Sequence, residues 1–120
     1  MPVQKILVVD DSPTERFFFT DLLTKNGYNV FTAESGEEAV VKTREIKPDL
    51  ILMDVVMPGT NGFQATREIT RDPAIAHIPV IICTSKTLET DRIWGLRQGA
   101  RDYVTKPINA KDLLDKIAAI

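Results

Sequence analysis

Short, largely apolar runs alternate along this chain with segments of helical period, and the alternation repeats five times. Near-continuous apolar strands separated by helices are strands buried on both faces, which is the pattern of a parallel sheet sandwiched between helical layers. Right-handed crossovers then wind the helices onto both sides, giving an α/β doubly wound, five-stranded parallel sheet in a three-layer sandwich. In the order 2-1-3-4-5 the chain reverses direction across the sheet between strands one and three, and a crevice opens outside their carboxyl ends.

Punctuation residues set the expected boundaries. Strand one runs from Lys5 to Asp10; Ser12-Pro13-Thr14-Glu15 reads as a capping box with proline at the first helical position, and Gly27 closes that helix. Strand two spans about Asn29 to Ala33. A second box, Ser35-Gly36-Glu37-Glu38, opens a helix that stops before Lys47-Pro48, because a residue preceding proline avoids the α region. Strand three is Leu50 to Met53. The turn-rich segment Met57 to Gly62 leads to a third helix ended by Asp72-Pro73, and strand four is Pro79 to Cys83. Helix four covers roughly Leu88 to Gln98, with Gly99 just beyond it. Strand five lies within Ala100 to Thr105, and Asn109 caps a last helix.

Four of the apolar runs end on a reactive polar residue: KILVVDD on Asp10 and Asp11, LILMD on Asp54, PVIICT on Thr84, DYVTKP on Lys106. A parallel sheet brings these ends to one crevice. Three carboxylates so close repel one another, and unaided at least one would hold its proton at neutral pH. A hard divalent cation removes the conflict. Mg²⁺ keeps several waters and is held by one or two carboxylates plus phosphate oxygens, whereas Ca²⁺ wants a richer oxygen cage. With Lys106 as counter-charge and Thr84 as a hydroxyl donor, the set reads as a cradle for a phosphoryl group. Asp10 and Asp11 can share the metal, leaving Asp54 as a nucleophile that would form an acyl phosphate.

Size and charge exclude other classes. At 13.4 kDa the chain fits one domain of residues 1–120 with no room for an output domain. A net charge of -2, with Arg67, Arg71, Arg92, Arg97 and Arg101 lying among acids in the sequence, lacks the basic footprint of a nucleic-acid binder. No apolar stretch suits a signal peptide or membrane span, so a cytoplasmic protein is expected. Cys83, the one cysteine, reads as a buried structural thiol, and His77, the one histidine, as a loop residue.

DD after strand one, D followed by MPGxxG, T after strand four and KP after strand five resemble, over the whole chain, the receiver domain of two-component response regulators, a flavodoxin-like (CheY-like) family. The resemblance implies that Asp10, Asp11, Asp54 and the backbone carbonyl of Val56 bind Mg²⁺. It implies that Asp54 takes a phosphoryl group from a histidine kinase or histidine phosphotransfer domain, that the receiver promotes its own phosphorylation and dephosphorylation, and that Thr84 and Lys106 report the phosphate's arrival. It also implies a cis Lys106-Pro107 bond, a switch aromatic at Tyr103, and output by a monomer or weak dimer to a downstream protein through helix 4, strand 5 and helix 5. SPTE, MPGTNGFQATR and ETDRIWGLRQGARDYVTKP are most similar to the single-domain regulators of type IV pilus twitching motility, the PilH-like group. Val56 and Lys86, two residues beyond Asp54 and Thr84, stand where chemotaxis-type receivers often carry polar or acidic side chains, and Ser85 replaces a frequent alanine.

Two other classes are compatible with the same residues: a small Mg²⁺-dependent phosphatase with Asp10 as nucleophile, and a structural interaction domain that never takes phosphate. Among the apolar residues, Phe19, Leu22 and Leu23 form one stripe of helix one with Phe18 at its edge, which leaves Phe17 exposed as a docking or merely surface aromatic. Ile93 and Leu96 are expected on the buried side of helix four, with Trp94 on a flank and Gly95 permitting close packing on the sheet. Tyr103 is expected half-buried, turning inward when phosphate arrives.

Overall fold

The computed structural model describes residues 2–120. Its elements in chain order are β1 (Lys5–Val9), α1 (Pro13–Lys25), β2 (Asn29–Ala33), α2 (Gly36–Ile46), β3 (Leu50–Met53), α3 (Gly62–Arg71), β4 (Val80–Thr84), α4 (Glu89–Arg97), β5 (Asp102–Thr105) and α5 (Ala110–Ala118). All strand pairs are parallel, in the order β2-β1-β3-β4-β5. The period-two alternation of the strands divides the core in two. Leu7, Val9, Ile51, Met53, Val80, Ile82 and Tyr103 face α2, α3 and α4. Ile6, Val8, Leu50, Leu52, Ile81, Cys83 and Val104 face Phe19 and Leu23 of α1 and Leu113 and Ile117 of α5. Burial pushes the Cys83 thiol up to about 12, which keeps it protonated and unreactive. Among the described residues no helix is long and apolar enough to cross a membrane.

Boundaries differ from the sequence expectation where a side chain has work elsewhere. β1 ends at Val9, and Asp10 lies one residue past it, its N–H still donating to the Ala33 carbonyl (3.1 Å). β5 starts at Asp102 rather than Ala100. Both expected capping boxes form only by half. The Ser12 and Ser35 hydroxyls accept from the N–H of Glu15 and Glu38, but Glu38 returns to the Glu34 N–H and Glu15 turns toward Lys106. The complete box is one the sequence reading missed, Asn61 with Gln64 at the start of α3. Lys47 leaves α2 in the left-handed region at φ 50°, consistent with the exclusion of α geometry before Pro48.

Helix α4 corrects the expected packing. Ile93 and Leu96 are 44% and 38% exposed, and the one buried residue of the helix is Gly95. A Cβ on Gly95 would stand 2.9 Å from Ile82 Cδ1, 3.1 Å from Tyr103 Cδ2 and 3.2 Å from Phe63 Cε1. The helix backbone lies directly on the sheet, so no space remains beneath it for a branched side chain. On α1, Phe19 and Leu23 are buried, Leu22 is half-buried, Phe18 is at the edge and Phe17 is exposed, as the helical stripe requires.

Candidate functional site

Sheet register assembles the crevice. Val9 is level with Met53, so the next residues outward, Asp10 and Asp54, end adjacent strands side by side. The Asp54 N–H donates to the Val9 carbonyl (2.9 Å), fixing that level. Thr84 is level with Thr105, and the Lys106 N–H donates to the Thr84 carbonyl (2.8 Å), which sets Lys106 beside them. Asp10, Asp11 and Asp54 each place a carboxylate oxygen within 4.8 Å of the others. The Lys106 ammonium donates to Asp10 Oδ2 at 2.8 Å and lies 3.7 Å from both Asp54 Oδ1 and Glu15 Oε2.

Each group is held by a specific contact. Asp10 is buried, and its second oxygen accepts from the Ser12 N–H (3.0 Å). Arg16, which the sequence did not single out, donates to the Asp10 carbonyl (2.7 Å) and to Glu34 (2.9 Å), tying α1 to the end of β1. Thr84 is buried and its hydroxyl oxygen accepts from the Lys86 N–H (3.3 Å). Behind Asp54, Gly62 approaches so closely that an added Cβ would fall 1.9 Å from the Asp54 carbonyl oxygen. In the sequence Glu15 reads only as a capping-box residue, although the Ser-Pro-Thr-Glu signal puts its carboxylate on the first turn of a helix opening over the crevice, where it faces Lys106. The Val56 side chain is 59% exposed at the rim. Lys106-Pro107 is cis.

Electrostatically the site is short of positive charge. Burial, then the neighbouring Asp10 charge, raises the Asp54 carboxyl to about 6, with Lys106 opposing. Burial alone would lower Lys106, but its hydrogen bond to Asp10 and the charges of Asp54, Asp10 and Glu15 hold it above the ordinary lysine value. Three carboxylates facing one ammonium, all offering hard oxygen donors, fit a divalent cation of the Mg²⁺ type.

Tyr103 departs from expectation. It is buried rather than half-buried, already points inward, and its hydroxyl donates to the Lys86 carbonyl (2.8 Å). The cause is the same close seat of α4, whose Gly95 leaves room for the ring edge.

Residues 6–118 match the family described as the response regulator receiver domain. The chain belongs to that family. It is 55% identical over 116 residues to the protein PilH of Pseudomonas aeruginosa, covering 97% of this chain and 96% of that protein. Against the phosphate regulon transcriptional regulatory protein PhoB of Escherichia coli it is 38% identical over 117 residues, 98% of this chain but 51% of PhoB, so the receiver spans about half of that relative. The chemotaxis protein CheY4 of Vibrio cholerae superposes with a TM-score of 0.91 at 30% identity, over 98% of each chain. A Borrelia burgdorferi structure of a CheX–CheY complex with beryllofluoride and Mg²⁺ matches with a TM-score of 0.90 at 27% identity, over 97% of this receiver and 87% of that chain. Fold, strand order and membership of a CheY-like, PilH-related receiver group therefore agree with the sequence reading, and the phosphatase reading is set aside.

Proposed function

We propose that this receiver takes a phosphoryl group onto Asp54 from the phosphohistidine of a histidine kinase or histidine phosphotransfer domain, and signals by protein–protein contact as a cytoplasmic domain, a monomer or weak dimer. The observation that carries this reading is the Asp10, Asp11 and Asp54 cluster with the Lys106 ammonium in hydrogen-bond contact with Asp10 and beside Asp54. An Asp54 carboxylate oxygen attacks phosphorus as the P–N bond breaks and its electron pair leaves with the imidazole. Lys106 can swing between Asp10 and a new phosphoryl oxygen, and the Thr84 hydroxyl can donate to another. Asp10, Asp11, Asp54 and the Val56 carbonyl would hold Mg²⁺, which supplies positive charge to the phosphoryl oxygens. The full-length relation to PilH supports a place in pilus-motility or chemotaxis-type control.

Incubation with a small phosphodonor and Mg²⁺ is expected to add one phosphoryl mass, mapped by peptide fragmentation to Asp54. An adduct elsewhere, or one formed equally in excess chelator, overturns the assignment of nucleophile or metal.

A donor histidine can reach Asp54 only from the open side of the crevice, so the donor protein must also cover its rim. There Thr14, Glu15, Phe18, Lys106, Pro107 and Ile108 line a cleft of about 260 Å³, and Phe17 is 73% exposed on the same helix. The rim also bears on lifetime. Hydrolysis needs a water aligned behind phosphorus, and the Val56 side chain offers no hydrogen bond. Val56→Asn is expected to shorten the half-life of the phosphorylated state by up to about a hundredfold, the upper range for positioning effects; an unchanged decay rate by phosphoprotein gel would remove Val56 from the account.

Output is proposed through α4, β5 and α5. Phosphate oxygens would draw the Thr84 hydroxyl, and the Lys86 N–H now bonded to it would move with residues 85–87. Because the Tyr103 hydroxyl donates to the Lys86 carbonyl, β5 is mechanically joined to that loop, and the ring need not turn inward first. With beryllofluoride and Mg²⁺, amide exchange is expected to slow over residues 85–105 in the native protein and to stay unchanged in Thr84→Ala; equal slowing in both would exclude Thr84 as the link.

A further inference from the structure

The arginines that lie among acids in the sequence are not neutralised by them in space. Asp72, beside Arg71, is bound to Arg44 of α2 at 3.0 Å. Asp91, beside Arg92, lies 3.9 Å from Lys86, and Asp102, beside Arg101, lies 3.5 Å from Lys116. Arg67, Arg71 and Arg97 are exposed and have no carboxylate within ion-pair distance among the described residues.

Packing gathers these three arginines onto one surface. In α3 the inward residues are Phe63, Ala65, Thr66 and Ile69, so Gln64, Arg67, Glu68 and Arg71 face out, lining a groove of about 480 Å³. In α4 Gly95 faces the sheet, and Arg92 marks the β5 flank by donating to the Tyr103 carbonyl (3.3 Å). The opposite flank is the α3 side, since the Gln98 carbonyl accepts from the Thr70 hydroxyl at 2.7 Å. Trp94 stands one turn before Gln98 and therefore on that α3 side, 48% exposed, with Arg97 next to it on the outward face. The exposed indole and Arg97 lie across the Thr70–Gln98 contact from the outward Arg67 and Arg71 of α3, with Glu68 beside those two and Asp91, one turn before Trp94, taken up by Lys86 at 3.9 Å; this strip is on the far flank of α4 from the proposed output face.

We propose that this α3–α4 seam is a second docking surface, and that its occupant is an acidic protein segment whose carboxylates pair with Arg67, Arg71 and Arg97 while an apolar side chain seats on Trp94. Charge complementarity selects the occupant: guanidinium forks match carboxylates bidentately, and arginine and tryptophan are the residues that dominate protein–protein contact energy. A net charge of -2 and a strip only two helices wide give a polyanion such as DNA no extended track.

Trp94 is the one tryptophan in the chain, so its emission reports the surface directly. The probe is a short amidated peptide of Glu-Glu-Leu-Glu repeats titrated into the full chain. A saturable shift of Trp94 emission is expected, weakening with added salt and weaker still for the same peptide with alanine in place of leucine. Arg67→Glu/Arg71→Glu is expected to lower affinity by roughly tenfold or more, and Arg97→Glu alone to lower it measurably, whereas Lys5→Glu/Lys25→Glu leaves it unchanged. If the double variant melts early by circular dichroism, Arg97→Glu decides. Absence of a saturable shift, equal loss in the lysine variant, or tighter binding of duplex DNA or phosphatidylglycerol vesicles overturns the proposal.

Discussion

Asp54→Asn is expected to take up no phosphoryl group and, in chelator at pH 7.5, to be more stable than the native protein by on the order of 2 to 3 kcal/mol, roughly 10 °C in Tm. The first outcome follows from losing the proposed nucleophile. The second follows from the raised Asp54 value of about 6 against an ordinary 3.8. A carboxyl whose value rises on folding binds its proton more tightly in the folded state. Its charge therefore costs nothing at low pH, and the penalty grows as pH rises from about 3.8 and is complete above about 6. Asparagine is neutral throughout, so the difference between the two proteins should vanish below about pH 4 and be full at neutrality. Mg²⁺ should shrink it by stabilising the native cluster alone. Thermal melts of both proteins between pH 4 and 8 check this; a variant no more stable than native at pH 7.5 would mean that the cluster carries no stored repulsion.

Gly62→Ala is expected to be the most damaging single methyl in the molecule. Its Cβ would meet the Asp54 carbonyl oxygen at 1.9 Å and the backbone atoms Asp54 C and Val55 Cα at 2.8 Å, none of which can rotate away. The start of α3 or the end of β3 must shift, costing about 3 kcal/mol or more. Since the proposed phosphoacceptor is Asp54, a shift approaching 1 Å should also slow phosphorylation by about a hundredfold. Gly27→Ala is the control. There φ is +89° but no atom lies within 4 Å of the added carbon, so the loss is confined to backbone strain of about 1 kcal/mol. Denaturant unfolding and phosphodonor kinetics compare the two, and equal effects would show that the loop behind Asp54 yields freely.

The legible parts of this molecule are those written in local sequence. Apolar runs and helix punctuation placed all ten elements, and because strand ends converge in a parallel sheet, Asp10, Asp11, Asp54, Thr84 and Lys106 could be gathered without coordinates. What escaped depends on contacts between distant segments. Glu15 looked like the second half of a capping box, but Lys106, remote in sequence, draws it away. Ile93 and Leu96 looked like a core stripe because periodicity counts apolar residues and cannot register that a glycine has let the backbone occupy the space they would fill. Ion pairing was illegible for a related reason: Asp72 is adjacent to Arg71 in the sequence, while the fold gives it to Arg44.

The seat of α4 has an energetic corollary. Burying a leucine or isoleucine contributes about 1.5 to 3 kcal/mol, and α4 anchors itself with neither; its start at Leu88 also lacks a side-chain cap. The free-energy gap between this placement of α4 and a neighbouring one is therefore small. A ligand need prefer one placement by only about 2.8 kcal/mol to change its occupancy ratio a hundredfold. A helix without interlocking leucines or isoleucines is a shallow well, and the phosphorylation proposed at the strand ends would need only that much differential binding to tip it.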